Sequence, residues 1–550
     1  MVSKEKSANS YSVASSTPFK KIVRLVVLSI LPLLVVFIGI QIKRAGGQYW
    51  QGNIDPGYHY LLDGLNIANL HRPHQADHPG TPVQIYMGTM IRLLNLSSNE
   101  QVTATKVITD PEFYLTLTNY VLILFYGLCM FLVGWIALMV TQNLVLSVAS
   151  QAAPFLSLTL LLGLVGIRPE IFFLCISMLL SGLTLLTFKF EIGKYARRYA
   201  IAFGVLMGIG IASKIPFAPL VVLPLVLLPT LKWKLHFVLA TIVSFVISIA
   251  PIIAPQQMQH LFHFLLDTTT HTGTYGYGAK GIVDVHTYLP ALVSLIRGDV
   301  LSFFFIFAGV LALMLELRNP RLGHAKFKAL LAVTIAQFCL LLVVGKHPNA
   351  RYLIPGLGLV GLNFLLVLQL AGDKLAAINP RFYYLPLILV CSVIVFKRTF
   401  SLIALRANLE KGVRETLVIN EKLKQEASQA TVVHYYGASS MVYGLKFGSE
   451  YSGNTYAALL AQTYPNDYFY NLWTREFSNF TGPVDISQIQ GQKGWWIMHG
   501  FSLNEPEFRA QLPEKILPDK VQLDDIYKGN VDDPRVWDGE TIYKASKESK

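Results

Sequence analysis

The sequence predicts a mainly α-helical, polytopic membrane protein with a small α/β domain at its C-terminal end. Three observations lead there. The chain of 550 residues is 53% hydrophobic and only 14% charged, where a soluble globular chain carries about 25% charged residues. Apolar runs recur at close to the ~20 residues that a helix needs to cross the hydrocarbon core. After about residue 402 those runs stop, and the chain becomes first charged and then rich in short β-forming stretches.

The net charge of +13 does not indicate a nucleic-acid partner. Many of the basic residues fall in short clusters between apolar runs, which is how cytoplasmic membrane anchors are distributed, and not on one basic face. Cys129, Cys175, Cys339 and Cys391 all lie inside apolar runs, so neither a disulfide framework nor a cysteine metal site is available.

Taken in order, residues 1–21 form a basic tail with Lys4, Lys6, Lys20 and Lys21. The run 22–41 is too long for a signal-peptide core and is not followed by a small-residue cleavage site, so it is read as an anchor. Further spans are expected at 115–140, 144–166, 169–188, 199–213, 216–231, 236–255, 300–317, 328–345, 352–371 and 383–401, about eleven in all. The runs 199–213 and 216–231 are short and broken by Pro and Gly. With the N-terminus in the cytoplasm, the inner loops carry Lys189, Lys194, Arg197 and Arg198, then Lys232 and Lys234. Arg318, Arg321, Lys326 and Lys328 follow, then Lys374 and Arg381, in keeping with the positive-inside rule. Lys43 and Arg44 run against it beside the stronger N-terminal cluster. The transmembrane unit is thus 22–402, with outer loops at 42–114 and 256–299, and 403–550 is an extracytoplasmic domain. Within that domain a charged helix is expected over 403–430, β runs at 431–436 and 494–499, and an aromatic helix over 468–477.

The chemistry-bearing residues concentrate in the first outer loop. Asp55, Asp63 and Asp77 stand with His59, His71, His74 and His78 between the first two spans. Tyr58, Leu61, Leu62 and Leu65 recur at helical spacing, so a short helix is expected from Tyr58 to about Leu70. Asp55, just ahead of it, reads either as an N-cap or as a general base at the membrane interface; Asp77 is the rival base and Asp63 reads as structural. The histidine spacing, interrupted by Pro73 and Pro79, fits no familiar zinc motif. A divalent ion shared between Asp55 and a substrate phosphate would leave little sequence trace, so metal dependence stays open and no other cofactor is implied.

Cations recur at the outer ends of later spans. Arg168 begins one span and suits either head-group anchoring or a site. Lys214 interrupts an apolar run and needs a partner or a watery cavity. Lys346, His347 and Arg351 share one tight outer turn against the positive-inside trend, and Arg supplies the bidentate fork that phosphate recognition uses. The 256–299 loop mixes His260, His263, Asp267, Tyr275 and Tyr277 with threonines and glycines, a composition that suits sugar stacking, a mobile lid or a plain surface loop.

Together these landmarks resemble the GT-C membrane glycosyltransferases, nearest to the protein O-mannosyltransferase and lipid A aminoarabinose-transferase group. The resemblance rests on Asp55, the helix after it, His78-Pro79-Gly80-Thr81-Pro82, Arg168-Pro169-Glu170, Gly210 to Lys214, and Arg351-Tyr352-Leu353-Ile354-Pro355, all in family order over residues 22 to about 400. Pro56 follows Asp55 where many relatives carry a second acid, and Gly80-Thr81 splits the proline pair. The resemblance implies transfer of a sugar from a polyprenyl-phosphate donor to a glycan, lipid or protein acceptor, on the outer face of a bacterial inner or plasma membrane. In that reading Asp55 is the base of an inverting attack, and Lys214, Arg351, Arg168, Lys346 and His347 face the lipid phosphate. Tyr58, His78 and Tyr352 contact substrate, and membrane lipids bathe the spans. A surface-polysaccharide polymerase or ligase, or a lipid-linked-glycan transporter, are the competing readings. The sequence lacks the repeated halves expected of the transporter.

Overall fold

The computed structural model describes residues 18–52, 54–76, 80–273, 278–318, 323–379, 384–427, 430–489, 495–502, 506–507, 510–511, 521–528 and 539–547. Asp77 and His78 lie outside the described residues, as do Tyr275 and Tyr277 of the second polar loop.

The first membrane helix is α1 (Pro18–Ala45). It exposes Ile22, Val26, Ile30, Leu33 and Phe37 and buries Leu28, Val35 and Gly39, the one-sided burial of a helix with lipid on its outer face. The first polar loop folds as α2 (Gly57–Ala68), α3 (Thr81–Leu94) and α4 (Glu100–Thr109). Then α5 (Pro111–Thr141) returns through the membrane. Its start combines Pro111 in the first turn with Asp110, whose carboxylate accepts the Phe113 N–H at 3.2 Å, two signals that open helices.

The run expected as one span at 144–166 is three short helices, α6 (Leu144–Ser150), α7 (Ala153–Leu156) and α8 (Leu158–Gly163). Pro154 lacks the N–H to continue a helix, and the Ser157 hydroxyl caps the next one by accepting from Leu160 N at 3.1 Å. Helices α9 (Pro169–Lys189) and α10 (Ala196–Ser213) follow. The 216–231 run is a 3₁₀ segment (Ile215–Val221) leading into α11 (Val222–Leu227); Pro216, Pro219 and Pro224 keep it short. Then come α12 (Leu231–Ile249), α13 (Pro255–Thr270) and α14 (Val285–Gly298), with α15 (Val300–Arg318) and α16 (His324–Lys346) behind them. A 3₁₀ turn (Ala350–Leu353), α17 (Ile354–Leu357) and α18 (Val360–Ile378) make the next unit, bent by 49°.

Among the described residues seven helices are long and apolar enough to cross a membrane, eight if that bent pair is one span. The chain is a multi-pass membrane protein; of the other expected runs, 199–213 lies in the unbroken 18-residue α10, and 144–166 and 216–231 are broken into shorter helices. The last span runs on into the tail. Helix α19 (Leu385–Ala427) continues for 43 residues, because no proline follows Pro386 to stop it. Its polar half carries i,i+4 pairs such as Arg406 and Glu410 at 2.7 Å.

The tail domain is a six-stranded mixed sheet, built of β1 (Thr431–Tyr435), β2 (Asp467–Asn471), β3 (Glu476–Ser478), β4 (Trp495–Phe501), β5 (Val521–Lys528) and β6 (Glu540–Lys547) in the order β3-β2-β1-β4-β6-β5. Helices α20 (Met441–Tyr451), α21 (Ala457–Thr463) and α22 (Ile486–Ile489) complete it. The 468–477 stretch, expected as a helix, is instead the antiparallel pair β2 and β3. Phe469 enters the core shared with the membrane region while Tyr470 enters the domain's own core. That is the two-residue alternation of a strand buried on both faces.

The tail domain sits directly on the first polar loop, through α20 against α2. Gly444 and Gly448 permit this: a Cβ on Gly448 would lie 2.7 Å from the carbonyl oxygen of Tyr58, and one on Gly444 would lie 2.7 Å from its ring. Asn66 Nδ2 donates to Ser452 O at 3.2 Å, and Asn69 Nδ2 to the Tyr456 hydroxyl at 3.0 Å. Tyr464 donates its hydroxyl to Ile108 O at 3.1 Å.

Candidate active site

Asp55 occupies the turn before α2, one residue short of the N-cap. Pro56 holds that position, so the carboxylate does not cap the helix. The turn is fixed by Tyr58 N donating to Ile54 O at 3.2 Å and Tyr60 N to Pro56 O at 3.1 Å. The side chain is 65% exposed and stands 3.9 Å from His59 Nε2. Protein crowded around its base raises the Asp55 pKa above the ordinary carboxylate value, while Lys214 and then Arg351 pull it down. Solvent therefore reaches a carboxylate that also feels two cations. Burial, with help from Lys214, lowers the His59 pKa to about 3, so that imidazole is neutral at physiological pH.

On the membrane side of Asp55 lie the cations. Lys214 sits at the end of α10, where the backbone turns extended (φ −170°, ψ 137°). Its Nζ lies 3.3 Å from Glu170 Oε1, with side-chain exposures of 10% and 4%, and 4.5 Å from the centre of the Tyr352 ring. The partner that the sequence demanded for this lysine is thus Glu170, in the first turn of α9. Arg168, at the N-cap of the same helix, folds back so that Nη2 donates to Leu162 O at 3.1 Å and to Val165 O. Arg351 differs from both. Its backbone N–H is held by Asn349 Oδ1 at 3.0 Å, but its exposed guanidinium has no hydrogen-bond partner among the described residues. Lys346 Nζ donates to Thr269 O at 3.0 Å, and His347 bonds the Thr268 backbone. These two tie the turn to the end of α13.

Two carboxylates shape the loop from below. Asp63 is fully buried and accepts four hydrogen bonds. His74 N (2.9 Å) and Asn66 Nδ2 (3.4 Å) reach Oδ1, and Gln75 N (3.1 Å) and Gln84 Nε2 (3.0 Å) reach Oδ2. Burial pushes its pKa up to about 7 against those four donors. Glu112, to which the sequence reading assigned no role, accepts from Tyr49 N at 2.7 Å, Trp50 N at 3.3 Å and the Tyr58 hydroxyl at 2.8 Å. It clips the 49–50 turn to the start of α5. Tyr58, expected at the substrate, is fully buried beneath Gly444 and Gly448 and committed to Glu112; it supports the site from underneath. Tyr352 is likewise buried, as the aromatic face under Lys214. His71 pairs with Glu100 at 2.7 Å. Among the described residues no group of three His, Cys, Asp or Glu side chains is placed to hold a metal ion.

On its other side Asp55 opens into a cavity of about 650 Å³ between the first polar loop and the tail domain. Trp50 and Asp55 form its floor, and Tyr436, Phe447, Tyr451 and Trp473 stand among its walls. The Gly437–Ser439 rim is braced by Ser439 N donating to Glu540 Oε1 at 3.2 Å. Glu540 also bonds His499 Nε2, and His499 meets His434 at 3.2 Å. Asp55 therefore lies where an aromatic cavity and a cluster of three cations meet. The sequence contained each part, but its order along the chain gave no sign that residues 436–473 would come to Asp55.

No known protein family matches the chain, and no curated protein does. Among solved structures, the crystal structure of ArnT from Cupriavidus metallidurans bound to undecaprenyl phosphate is similar at 13% identity, over 96% of this chain and 98% of that one, with a TM-score of 0.45. At that identity and TM-score, the chemistry of this chain rests on its own residues.

Proposed function

We propose that the chain is a membrane glycosyltransferase that moves a sugar from a polyprenyl-phosphate donor to an acceptor hydroxyl. The observation that supports this best is the position of Asp55, open to a cavity on one side and within electrostatic reach of Lys214, Arg351 and Arg168 on the other. Asp55 takes the proton from the acceptor hydroxyl, whose oxygen attacks the anomeric carbon from the face opposite the leaving group. The bond between that carbon and the phosphate oxygen breaks, its electron pair leaves with the lipid phosphate, and the configuration inverts. Arg351 meets the developing phosphate charge with its open guanidinium. Lys214 acts from within its pair with Glu170, and Arg168 contributes charge at longer range. Preorganised charge of this kind is usually the largest catalytic contribution. The basic loops between spans support an N-terminus in the cytoplasm, an orientation that would set this site on the outer face.

The test is to incubate the purified protein with a panel of polyprenyl-phosphate sugars and measure release of the lipid phosphate. At least one donor should turn over in wild type, and the Asp55→Asn variant should lose turnover while keeping its melting temperature. Transfer at the normal rate in that variant would move the base elsewhere, to Asp77 first.

A further inference from the structure

The tail domain has no part in the chemistry just described, yet it supplies most of the cavity that faces Asp55. Three features of that cavity identify what it holds. The first is Trp473, at the tip of the turn between β2 and β3, which is 72% exposed. With Tyr436 and Tyr451 it makes an exposed aromatic patch on the cavity wall, and contiguous patches of this kind mark binding grooves. Tyr436 meets Trp473 edge-on, with ring centres 4.6 Å apart and planes at 90°, so the indole is held by a neighbour while its outer face stays open. Tyr451, half-exposed on α20, adds a second aromatic to the wall.

The second feature is charge. The only cation lining the cavity, among the described residues, is Lys446. Its ammonium is already committed to Glu450 at 3.2 Å and to Asn479 O at 2.9 Å, and it is buried. Glu450 and Lys446 offset each other, so the net charge of the lining is the negative charge of Asp55, and the second oxygen of Glu450 adds an acceptor. A phosphate or carboxylate ligand would find no open cation among the lining residues, whereas carboxylate oxygens are good acceptors for the paired hydroxyls of a sugar. The third feature is size. At about 650 Å³ the cavity falls within the range of about 300–1,000 Å³ that encloses small ligands, with room for more than one sugar ring.

We propose that this cavity is the acceptor site, and that it takes the neutral sugar end of a glycan, stacked on Trp473, hydrogen-bonded to Glu450 and presenting one hydroxyl to Asp55. The assignment of the cavity to the acceptor rests on the transferase reading above; its affinity for a neutral sugar does not. Apolar C–H faces of a pyranose lie on aromatic rings while its hydroxyls reach polar groups at the rim, the division of labour that amphipathic binding pockets use. Cations on one side of Asp55 and aromatics with carboxylates on the other then sort the two substrates by charge.

The experiment is saturation-transfer NMR on the full-length protein in detergent without any donor. The probes are the methyl glycosides of glucose, galactose, mannose and N-acetylglucosamine, with a serine- and threonine-rich peptide as the competing acceptor type. At least one glycoside should receive saturation on its ring protons. Trp473→Ala should weaken that binding about tenfold, as loss of an anchoring aromatic does, and Trp473→Phe should recover most of it. Because Trp473 is exposed, both variants keep the wild-type melting temperature. Absence of binding by all four glycosides, or binding unchanged in Trp473→Ala, overturns the proposal, as does Trp473-dependent binding of the peptide alone. Donor turnover is followed in the same preparation. Phosphate release without glycoside binding overturns the cavity and keeps the transferase, and glycoside binding without phosphate release keeps the sugar site and overturns the transferase.

Discussion

Replacing Asp63 by asparagine exchanges one buried carboxylate oxygen for an amide nitrogen, and the surroundings of that carboxylate fix the consequence. Each oxygen receives two hydrogen bonds, all from donors. An asparagine can offer an acceptor to only one pair. If its oxygen faces His74 N and Asn66, its NH₂ group faces Gln75 N and one N–H of Gln84 Nε2, and those two lose their acceptor while the other N–H of Gln84 stays on Gln75 O at 2.9 Å. A stranded buried donor costs about 1–3 kcal/mol, so Asp63→Asn should lose about 2–6 kcal/mol of stability. The same exchange at Asp55 falls on a side chain that is 65% exposed and should stay within about 0.5 kcal/mol of wild type, as surface substitutions usually do.

The two variants thus separate structure from chemistry within one loop. The assay is thermal melting in detergent at pH 8, above the raised pKa of Asp63, beside donor turnover measured well below the melting point. Asp63→Asn should melt early and keep measurable turnover while folded. Asp55→Asn should melt with wild type and lose about 10²–10⁴ in rate, the usual contribution of a general base. The reverse pattern, a stable and inactive Asp63→Asn beside a destabilised and active Asp55→Asn, would refute the assignment of the two carboxylates.

Three further outcomes follow from the geometry. Asp55 must be deprotonated to act, so kcat/KM rises with pH through its pKa; Arg351 lowers that pKa, and Arg351→Gln should move the acid limb of the profile to higher pH as well as slow turnover by about 10²–10³. The buried pair of Lys214 and Glu170 should show strong coupling in a double-mutant cycle followed by melting. Either single apolar replacement strands a charge at about 3–5 kcal/mol, whereas the double replacement Lys214→Met with Glu170→Leu should be close to neutral in stability. Gly448→Val would drive a side chain into the Tyr58 carbonyl, cost about 1–3 kcal/mol by overpacking, and make the tail domain cleave faster in limited proteolysis.

What the sequence made legible follows from which interactions are local. Asp55, the helix after it, the lysine that breaks α10 and the cationic turn at Arg351 could all be found because each stands out against its immediate neighbours. A charge in an apolar run needs a reason, and that reason is visible without knowing the fold. Glu170 was visible in the same way, but its partner lies 44 residues away, and nothing in either segment names the other. Glu112 is harder still, since a glutamate in the first turn of a helix is explained by the helix dipole before any distant turn is considered. The 468–477 stretch does not read as a strand because Phe469 and Tyr470 are buried on opposite faces of β2, which removes the alternation of polarity that marks a strand. The runs 144–166 and 216–231 are broken into short helices for a related reason. Hydropathy reports how apolar a run is, while prolines at 154, 216, 219 and 224 decide whether it is one helix.

The placement of Glu170 bears on how a transferase of the proposed kind would turn over. Its donor and its lipid product both carry phosphate, and the product carries more exposed charge than the donor. Three unpaired cations in one partly dry site would hold that product most tightly of all the species on the path, and release would then limit the rate. The structure divides the cations instead. Arg351 is open and can follow the phosphate, while Lys214 is balanced by Glu170 at 3.3 Å and Arg168 spends its donors on carbonyl groups of its own loop. Charge that is already partly neutralised lowers the affinity for the product while still biasing the transition state, because the bias depends on the change in charge during the step and the affinity depends on its total. On the acceptor side the same economy holds. The cavity meets its ligand with acceptor oxygens and aromatic faces and offers a lipid phosphate no open cation of its own, so the phosphate stays on the Arg351 side of Asp55.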